Sequence, residues 1–238
     1  MNEKFYERID KIIASTGKMS RKDAKKAAKD GRITVNGKAV KDCSVKACEH
    51  DDVRLDGSQI IYRRWIYVML NKPKGYVCST DDPSSPIVNL LLSDELQNLD
   101  LFSIGRLDKN TTGLVILTND GALTHKLLSP TKHVEKEYTV STEKTISTNT
   151  VDVFEEGATL EDGYKCLPAS LKISGTNTAT IIIREGKYHQ IKRMFESVGN
   201  KVTKLERIRI GNLKLDFGLK QGEFKILSDE EILLLRGE

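Results

Sequence analysis

The chain has 238 residues, of which 38% are apolar and 30% charged, with a formal net charge of +4. This is the balance of a soluble globular protein with room for one large core, or for a small domain beside a larger one. It excludes a membrane-spanning helix, because no apolar stretch approaches the ~18 residues such a helix needs. The opening MNEKFYERIDK alternates charges and lacks the apolar run of a secretory signal. Cys43, Cys48, Cys78 and Cys166 show neither CxxC spacing nor a neighbouring His cluster, so the expectation is a cytoplasmic protein with reduced thiols and no metal site.

In chain order, RIDKIIAST over residues 8–16 puts Ile9, Ile12 and Ile13 at the i, i+3, i+4 spacing of a short amphipathic helix. A second helix opens at Met19 and Ser20, with Ser20 as N-cap, Asp23 three residues on, and Gly31 as its stop. RITVNGKAV then reads as two short strands turning on Asn36-Gly37, the strongest short hairpin signal. Residues 1–60 hold 14 Lys and Arg against 10 Asp and Glu. Within them, Lys18 to Lys41 holds nine basic residues and two acids. Lys18, Arg21, Lys22, Lys25, Lys26, Lys29 and Arg32 make an almost single-signed surface, which Lys38 and Lys41 continue. A solvated helix face is the plain alternative, but one sign over so short a span favours phosphate binding.

Asp56-Gly57-Ser58 marks a turn, and residues 61–66 read as a linker with Arg63 and Arg64 exposed. WIYVMLNKPKGYVCST then predicts two strand-like runs, Ile66 to Leu70 and Tyr76 to Ser79, around a turn where Lys72 and Lys74 present positive charge. DDPSSPIVNLLL predicts a turn and a short apolar helix. The segment Gly105 to Gly121, GRLDKNTTGLVILTNDG, organises the rest. Leu114 to Leu117 is an apolar run too short for a helix and typical of a buried strand. Asp108 therefore sits on a loop held by a central strand, with Arg106 as a ready charge partner. A structural ion pair is the bland alternative for this Asp. A calcium loop is excluded, since its twelfth position is Asn119 rather than a bidentate Glu and no helix flanks it.

Asp120-Gly121 opens a helix through Leu128, and KEYTVST from Lys136 alternates as a strand with Tyr138 among its inward candidates. VDVFEEG is a helix ending near Gly157, and Pro168 to Ser174 pairs with the buried strand ATIIIREG. In EGKYHQIKRMFESVGN a turn at Gly186 leads into a helix whose Ile191, Met194, Phe195 and Val198 form one apolar face. Lys192 lies beside that face, with His189 three residues earlier on the same side. Lys187, Lys192 and Arg193 with the helix N-terminus make an anion-friendly corner. Late strands follow, and Ser228 with Glu231 caps a last helix.

These residues carry two resemblances. ERIDKIIA…GKMSRKDAKKAAKDGRITVNGKAVKD resembles an S4-type RNA-binding domain over about the first fifty-five residues. Lys72-Pro73-Lys74-Gly75, GRLD with TTGLVILTNDG, Lys136-Glu137-Tyr138 and EGKYHQIKRMF resemble the ribosomal RNA pseudouridine synthases. YVCSTDDP and YHQIKRMF look most like the small-subunit (16S rRNA) type. The resemblance implies flipping of a uridine, cleavage of its N1–C1′ bond and rejoining through C5, by resemblance at uridine 516 of 16S rRNA. It implies no cofactor or metal. Asp108 would be the nucleophile or base, Tyr138 would pack on the uracil, and Lys192, Arg in many relatives, would pair with Asp108. Arg106 would hold RNA where the base has left.

The expected fold class is α+β: an S4-like domain over 1–60, a linker over 61–66, and a catalytic domain over 67–238 on a mixed, mostly antiparallel sheet flanked by helices. The expected RNA-binding residues are Arg106, Lys18, Arg21, Lys22, Lys25, Lys26, Arg32, Lys72, Lys187, His189, Gln190 and Arg193. The expected partner is ribosomal RNA within a small-subunit assembly intermediate, with no membrane and the chain acting as a monomer. Two other functions fit less well: the same reaction on large-subunit (23S) rRNA, or a non-catalytic RNA-binding assembly factor. Keeping Asp108, Tyr138 and Lys192 together speaks against the latter.

Overall fold

In the computed structural model, which describes residues 5–79 and 81–238, the first helices form where apolar spacing and capping put them. The Ile9–Ala14 helix buries Ile9, Ile12 and Ile13 completely. The Arg21–Lys29 helix starts where Ser20 Oγ accepts the Asp23 N–H, and it buries Ala24, Ala27 and Ala28. Ile33–Val35 and Lys38–Ala39 pair as the expected hairpin, with Asn36 and Gly37 at φ 50° and 78°. The two positive φ values are what a two-residue primed turn requires. Asp56 and Gly57 repeat the device at φ 51° and 76°, so the turn read there joins two short strands, Val53–Leu55 and Ser58–Gln59. These four strands form one small sheet. Met1–Lys4, the start of the charge-alternating opening, and Thr80 of YVCSTDDP lie outside the described residues.

The chain divides into two compact units, Met1–Ile66 with Leu92–Leu101, and Tyr67–Leu91 with Phe102–Glu238. The ten-residue insertion in the first unit holds the short Asp94–Gln97 helix, and Asn98 Nδ2 donates to Gly17 O at 3.5 Å. No helix among the described residues is long and apolar enough to cross a membrane. All four cysteines are free and buried.

The second unit is built on a nine-stranded sheet. Its main path runs Ser170–Gly175, Thr178–Ile183, Lys136–Thr142, Val202–Ile210, Thr112–Thr118, Tyr67–Lys72, Phe224–Ile226. Phe102–Ser103 and Leu213–Lys214 add short pairings beside it. Every pair is antiparallel except Val202–Ile210 with Thr112–Thr118. The sheet is therefore mixed and mostly antiparallel, and the chain has the expected α+β fold. Thr112–Thr118 is buried along its whole length, as a strand covered on both faces must be.

Two strand boundaries differ from expectation. The run expected to end at Leu70 continues through Asn71 and Lys72, because both polar side chains find partners inside. Asn71 Nδ2 donates to Leu219 O at 2.8 Å, and Lys72 donates to loop carbonyls described below. Tyr76 to Ser79 is not a strand; it makes only an isolated bridge, Val77 to Ile87.

The parallel pairing rests on a glycine. Gly113 has φ 97°, and a Cβ built on it would lie 2.2 Å from Arg207 O and 2.8 Å from Arg207 N. Only a residue without a side chain lets the strand that follows the Asp108 loop approach Val202–Ile210 this closely. Gly113→Ala is expected to destabilise the protein by on the order of 3 kcal/mol, from backbone strain and overpacking together. Chemical denaturation measures it, and a loss below about 0.5 kcal/mol, the level of an ordinary surface change, would show that the strands can separate at little cost.

Candidate active site

The Asp108 loop gets its shape from a lysine. Lys72, at the end of its strand, has no exposed surface, and its Nζ donates to Thr111 O at 2.7 Å, Asp108 O and Pro73 O at 3.1 Å, and Lys109 O at 3.3 Å. Thr111 N donates to Asp108 O at 3.0 Å and Gly75 N to Lys109 O at 2.9 Å. Leu107, buried on one side of Asp108, anchors the loop to the core, and Thr111 does so on the other. With its carbonyls gathered around one ammonium, the turn leaves the Asp108 carboxylate half-buried at the surface of a cavity.

That carboxylate meets Lys192. Lys192 Nζ lies 2.6 Å from Asp108 Oδ2, between residues 84 apart in sequence. His189 Nε2 approaches Asp108 Oδ1 at 3.6 Å, and its ring stacks on Tyr188 at 3.9 Å. The Gln190–Ser197 helix delivers Lys192. Its Ile191, Met194 and Phe195 are buried, and Phe195 meets Phe154 edge-on at 5.0 Å. His189 precedes this helix with φ 50°, which turns its imidazole toward the same carboxylate. Tyr138, 6% exposed, comes from the Lys136–Thr142 strand and lines the same cavity of about 90 Å3, as do Arg106 and Lys187. An anionic group, four cationic or protonatable groups and one aromatic ring therefore converge on a space open to solvent. This suits a reaction needing an ionised carboxylate next to a flat, uncharged ring, with a polyanion outside.

The structure brings Asp108, Tyr138, Lys192, Arg106, Lys187 and His189 together and removes three other expected residues from the surface role. Lys72 is fully buried and cannot reach RNA; its ammonium serves the loop carbonyls. Gln190 lines the same cavity but is 3% exposed; its Oε1 accepts from Lys187 N and its Nε2 donates to Glu185, so it also braces the turn before the helix. Arg193 is held 2.5 Å from Asp162 and does not line the cavity at Asp108. In the N-terminal unit, Arg21 and Lys25 flank Asp10 at 3.0 and 4.0 Å, and Arg32 bridges Asp56 at 2.6 Å. Burial alone would raise the fully buried Asp10 carboxyl, but hydrogen bonds from Arg8 and Arg21 outweigh it and hold the group below its usual value. Arg21 is thus first a structural partner. Lys18, Lys22 and Lys26 are exposed. Two cations lining the adjoining cavity, Lys136 and Arg207, were not singled out as site residues. Alternation along KEYTVST puts Lys136 on the face of Tyr138 and was the available signal for the first; Arg207 had none.

The chain is similar to known proteins over nearly its whole length. The family model described as RNA pseudouridylate synthase matches residues 66–197, and that of the S4 domain matches residues 7–53. A Bacillus subtilis protein named as an uncharacterized RNA pseudouridine synthase is 42% identical, covering 96% of this chain and 98% of its own. The ribosomal small subunit pseudouridine synthase A of Escherichia coli K12 is 42% identical, covering 94% and 98%. A crystal structure of a pseudouridylate synthase superposes with a TM-score of 0.69 at 38% identity, covering 96% of this chain and 99% of that one.

Burial pushes the Lys72 ammonium down from 10.5 to about 8. The unfolded lysine keeps its proton through that interval, so from about pH 8 to 10.5 the unfolded state binds more protons and this group makes stability rise with pH. Below pH 8 both states are protonated and it adds no slope. Lys72→Met is expected to lose roughly 2–4 kcal/mol at pH 7, because the loop carbonyls lose their donor. It should also lose the alkaline gain and speed amide exchange over 107–111. Denaturation at pH 7 and pH 9.5, with hydrogen exchange, checks it; an unchanged loop and an unchanged pH slope would show that the ammonium does not shape the turn.

Proposed function

The chain belongs to the RNA pseudouridylate synthase family and carries an S4 domain ahead of the catalytic region, and on that premise we propose that it converts a uridine of small-subunit (16S) ribosomal RNA to pseudouridine, with Asp108 as the reacting carboxylate. The observation that carries the assignment to Asp108 is its 2.6 Å contact with Lys192 at the edge of the cavity that Tyr138 lines. The small-subunit target rests on the name of the E. coli relative, and uridine 516 is the position the family resemblance suggests.

The reaction is an isomerisation. The N1–C1′ bond breaks, a C5–C1′ bond forms, the C5 proton leaves and N1 gains one, so nothing is consumed. Asp108, as nucleophile or base, must stay ionised while the entering base displaces water. An ammonium 2.6 Å away supplies the counter-charge a carboxylate in a drying cavity needs. The phenol ring of Tyr138 offers a face on which a flipped base can pack, recovering part of the few kcal/mol that unstacking costs. Arg106, exposed at the cavity edge, is suited to occupy the space the base vacates. Lys18, Lys22 and Lys26 of the N-terminal unit supply phosphate contacts over a longer stretch of RNA. We take the substrate to be rRNA in a small-subunit assembly intermediate, met by a cytoplasmic monomer.

Asp108→Asn is nearly isosteric and uncharged. It is expected to keep RNA affinity within about threefold while tritium release from C5-labelled uridine drops by more than ~1000-fold, since an amide is neither nucleophile nor base. Turnover within tenfold of wild type would remove Asp108 from the chemistry. Mapping pseudouridine in rRNA from cells with and without the protein identifies the target, and loss of a site from 23S rather than 16S rRNA would overturn the small-subunit assignment.

Replacing Lys18, Lys22 and Lys26 by Gln removes three exposed charges from the N-terminal surface without uncovering Asp10 or Asp56. The slope of log K against log salt is expected to fall by roughly 0.7–0.9 for each lysine that meets a phosphate, with turnover at saturating RNA preserved. Wild-type affinity and slope in this variant would make the surface a solvated helix face and move recognition to the second unit.

A further inference from the structure

Two cations lie side by side beneath the wall of the active-site cavity. Lys136 and Tyr138 alternate onto one face of their strand, and Arg207 stands opposite Tyr138 on the neighbouring strand. Both cations line a second cavity, of about 360 Å3, which shares Arg106, Tyr138, Gly186 and Lys187 with the cavity at Asp108. Arg207 is 2% exposed; its Nε donates to Leu114 O at 2.8 Å, and its Nη2 has no hydrogen-bond partner. Lys136 is half-buried with its Nζ 3.2 Å from Val134 O. Burial, and then the charge of Arg207, push its ammonium below the usual lysine value.

Among the described residues no carboxylate forms an ion pair with Lys136 or Arg207, although the charge of Glu185 offsets part of the downward push on the Lys136 ammonium. The acid that lines the cavity is Glu185, and its oxygens already accept from the Tyr164 hydroxyl, Leu167 N and Gln190 Nε2. Arg184, on the cavity edge, is held by Glu135 at 2.9 Å. Keeping one charge buried with an unmet donor beside a second, half-buried like charge is costly unless a counter-charge arrives. A dianion or monoanion with several acceptor oxygens answers both needs, and the cavity opens onto the place where the proposed substrate must enter.

We infer that the cavity lined by Lys136 and Arg207 is a phosphate subsite, which receives the phosphodiester flanking the target uridine and so fixes how far the flipped nucleotide enters. This rests on the RNA-modifying function proposed above. A cavity of about 360 Å3 exceeds what one phosphate fills and leaves room for the attached nucleoside. The same charge pair favours an anion over a second uncharged base, since a base supplies acceptors but no charge.

The test uses the full chain and short single-stranded oligoribonucleotides with one central uridine. In these the phosphate on its 5′ or its 3′ side is replaced by an uncharged methylphosphonate. Equilibrium binding is read first, because it does not need turnover. At one of the two flanks the methylphosphonate is expected to weaken wild-type binding about tenfold. Lys136→Met should weaken binding of the all-phosphate oligonucleotide to a similar degree and show no further loss with that methylphosphonate, the non-additivity of two groups in one contact. Lys136→Arg should restore affinity. Thermal unfolding confirms that both variants fold, and Arg207→Lys, which keeps a charge, provides a second variant should Lys136→Met unfold. Additive losses, or indifference of the wild type to both methylphosphonates, overturn the subsite. Coupled losses in a protein that releases no tritium from any rRNA would leave the subsite standing and overturn the isomerase function instead.

Discussion

The position of the Asp108 carboxylate depends on an ammonium ion that meets no water. Lys72 ends the strand beside the edge strand Phe224–Ile226, and its three N–H bonds are shared among the carbonyls of Pro73, Asp108, Lys109 and Thr111. A loop without regular structure would ordinarily leave those carbonyls to solvent. Turning them inward onto one cation makes the loop as fixed as a strand and forces its carboxylate outward. Everything at the site follows from that direction: the 2.6 Å contact with Lys192, the approach of His189, and the nearness of Tyr138.

Around this carboxylate the charge distribution is lopsided. Lys192, His189, Arg106 and Lys187 face the cavity, and Lys136 and Arg207 lie behind it. Such a surrounding keeps an aspartate ionised during desolvation and draws in a polyanion, two requirements of chemistry on RNA. The acids in the same neighbourhood are committed elsewhere. Glu185 holds Tyr164 and Gln190, Asp162 holds Arg193, and Glu135 and Glu137 hold Arg209. The basic character of the cavity thus comes from where the acids are spent rather than from an excess of Lys and Arg in composition.

The N-terminal unit sorts its cations differently. Arg8 and Arg21 pair with Asp10, a carboxylate with no exposed surface, so their first work is to make its burial possible. Arg32 pairs with Asp56 beside the second hairpin turn. The lysines stay out of these pairs more than the arginines do, in keeping with the fork geometry that suits guanidinium to carboxylate. A surface that looks uniform in sequence therefore divides into Arg21, Arg32 and, more loosely, Lys25, which meet carboxylates of the fold, and Lys18, Lys22 and Lys26, which are exposed.

Much of this protein was determined locally and could be read from residues alone. Ser20, Asp120 and Ser228 cap helices by bonds to N–H groups three residues on, Asn36-Gly37 closes a hairpin, and the apolar run at 114–117 is a buried strand. The motifs also singled out Asp108, Tyr138 and Lys192, which the structure brings to one cavity. What the sequence could not say is what each charged side chain is paired with, because pairing depends on residues far apart along the chain. Lys72 and Gln190 looked like surface groups and are interior braces, Arg193 answers to Asp162, and Arg207 passed unnoticed in an alternating strand although it is buried with an unmet donor. Whether a lysine faces solvent, a carbonyl or a carboxylate is a matter of local field and burial, and those exist only after strands from residues 67–72, 112–118, 136–142 and 202–210 have come together.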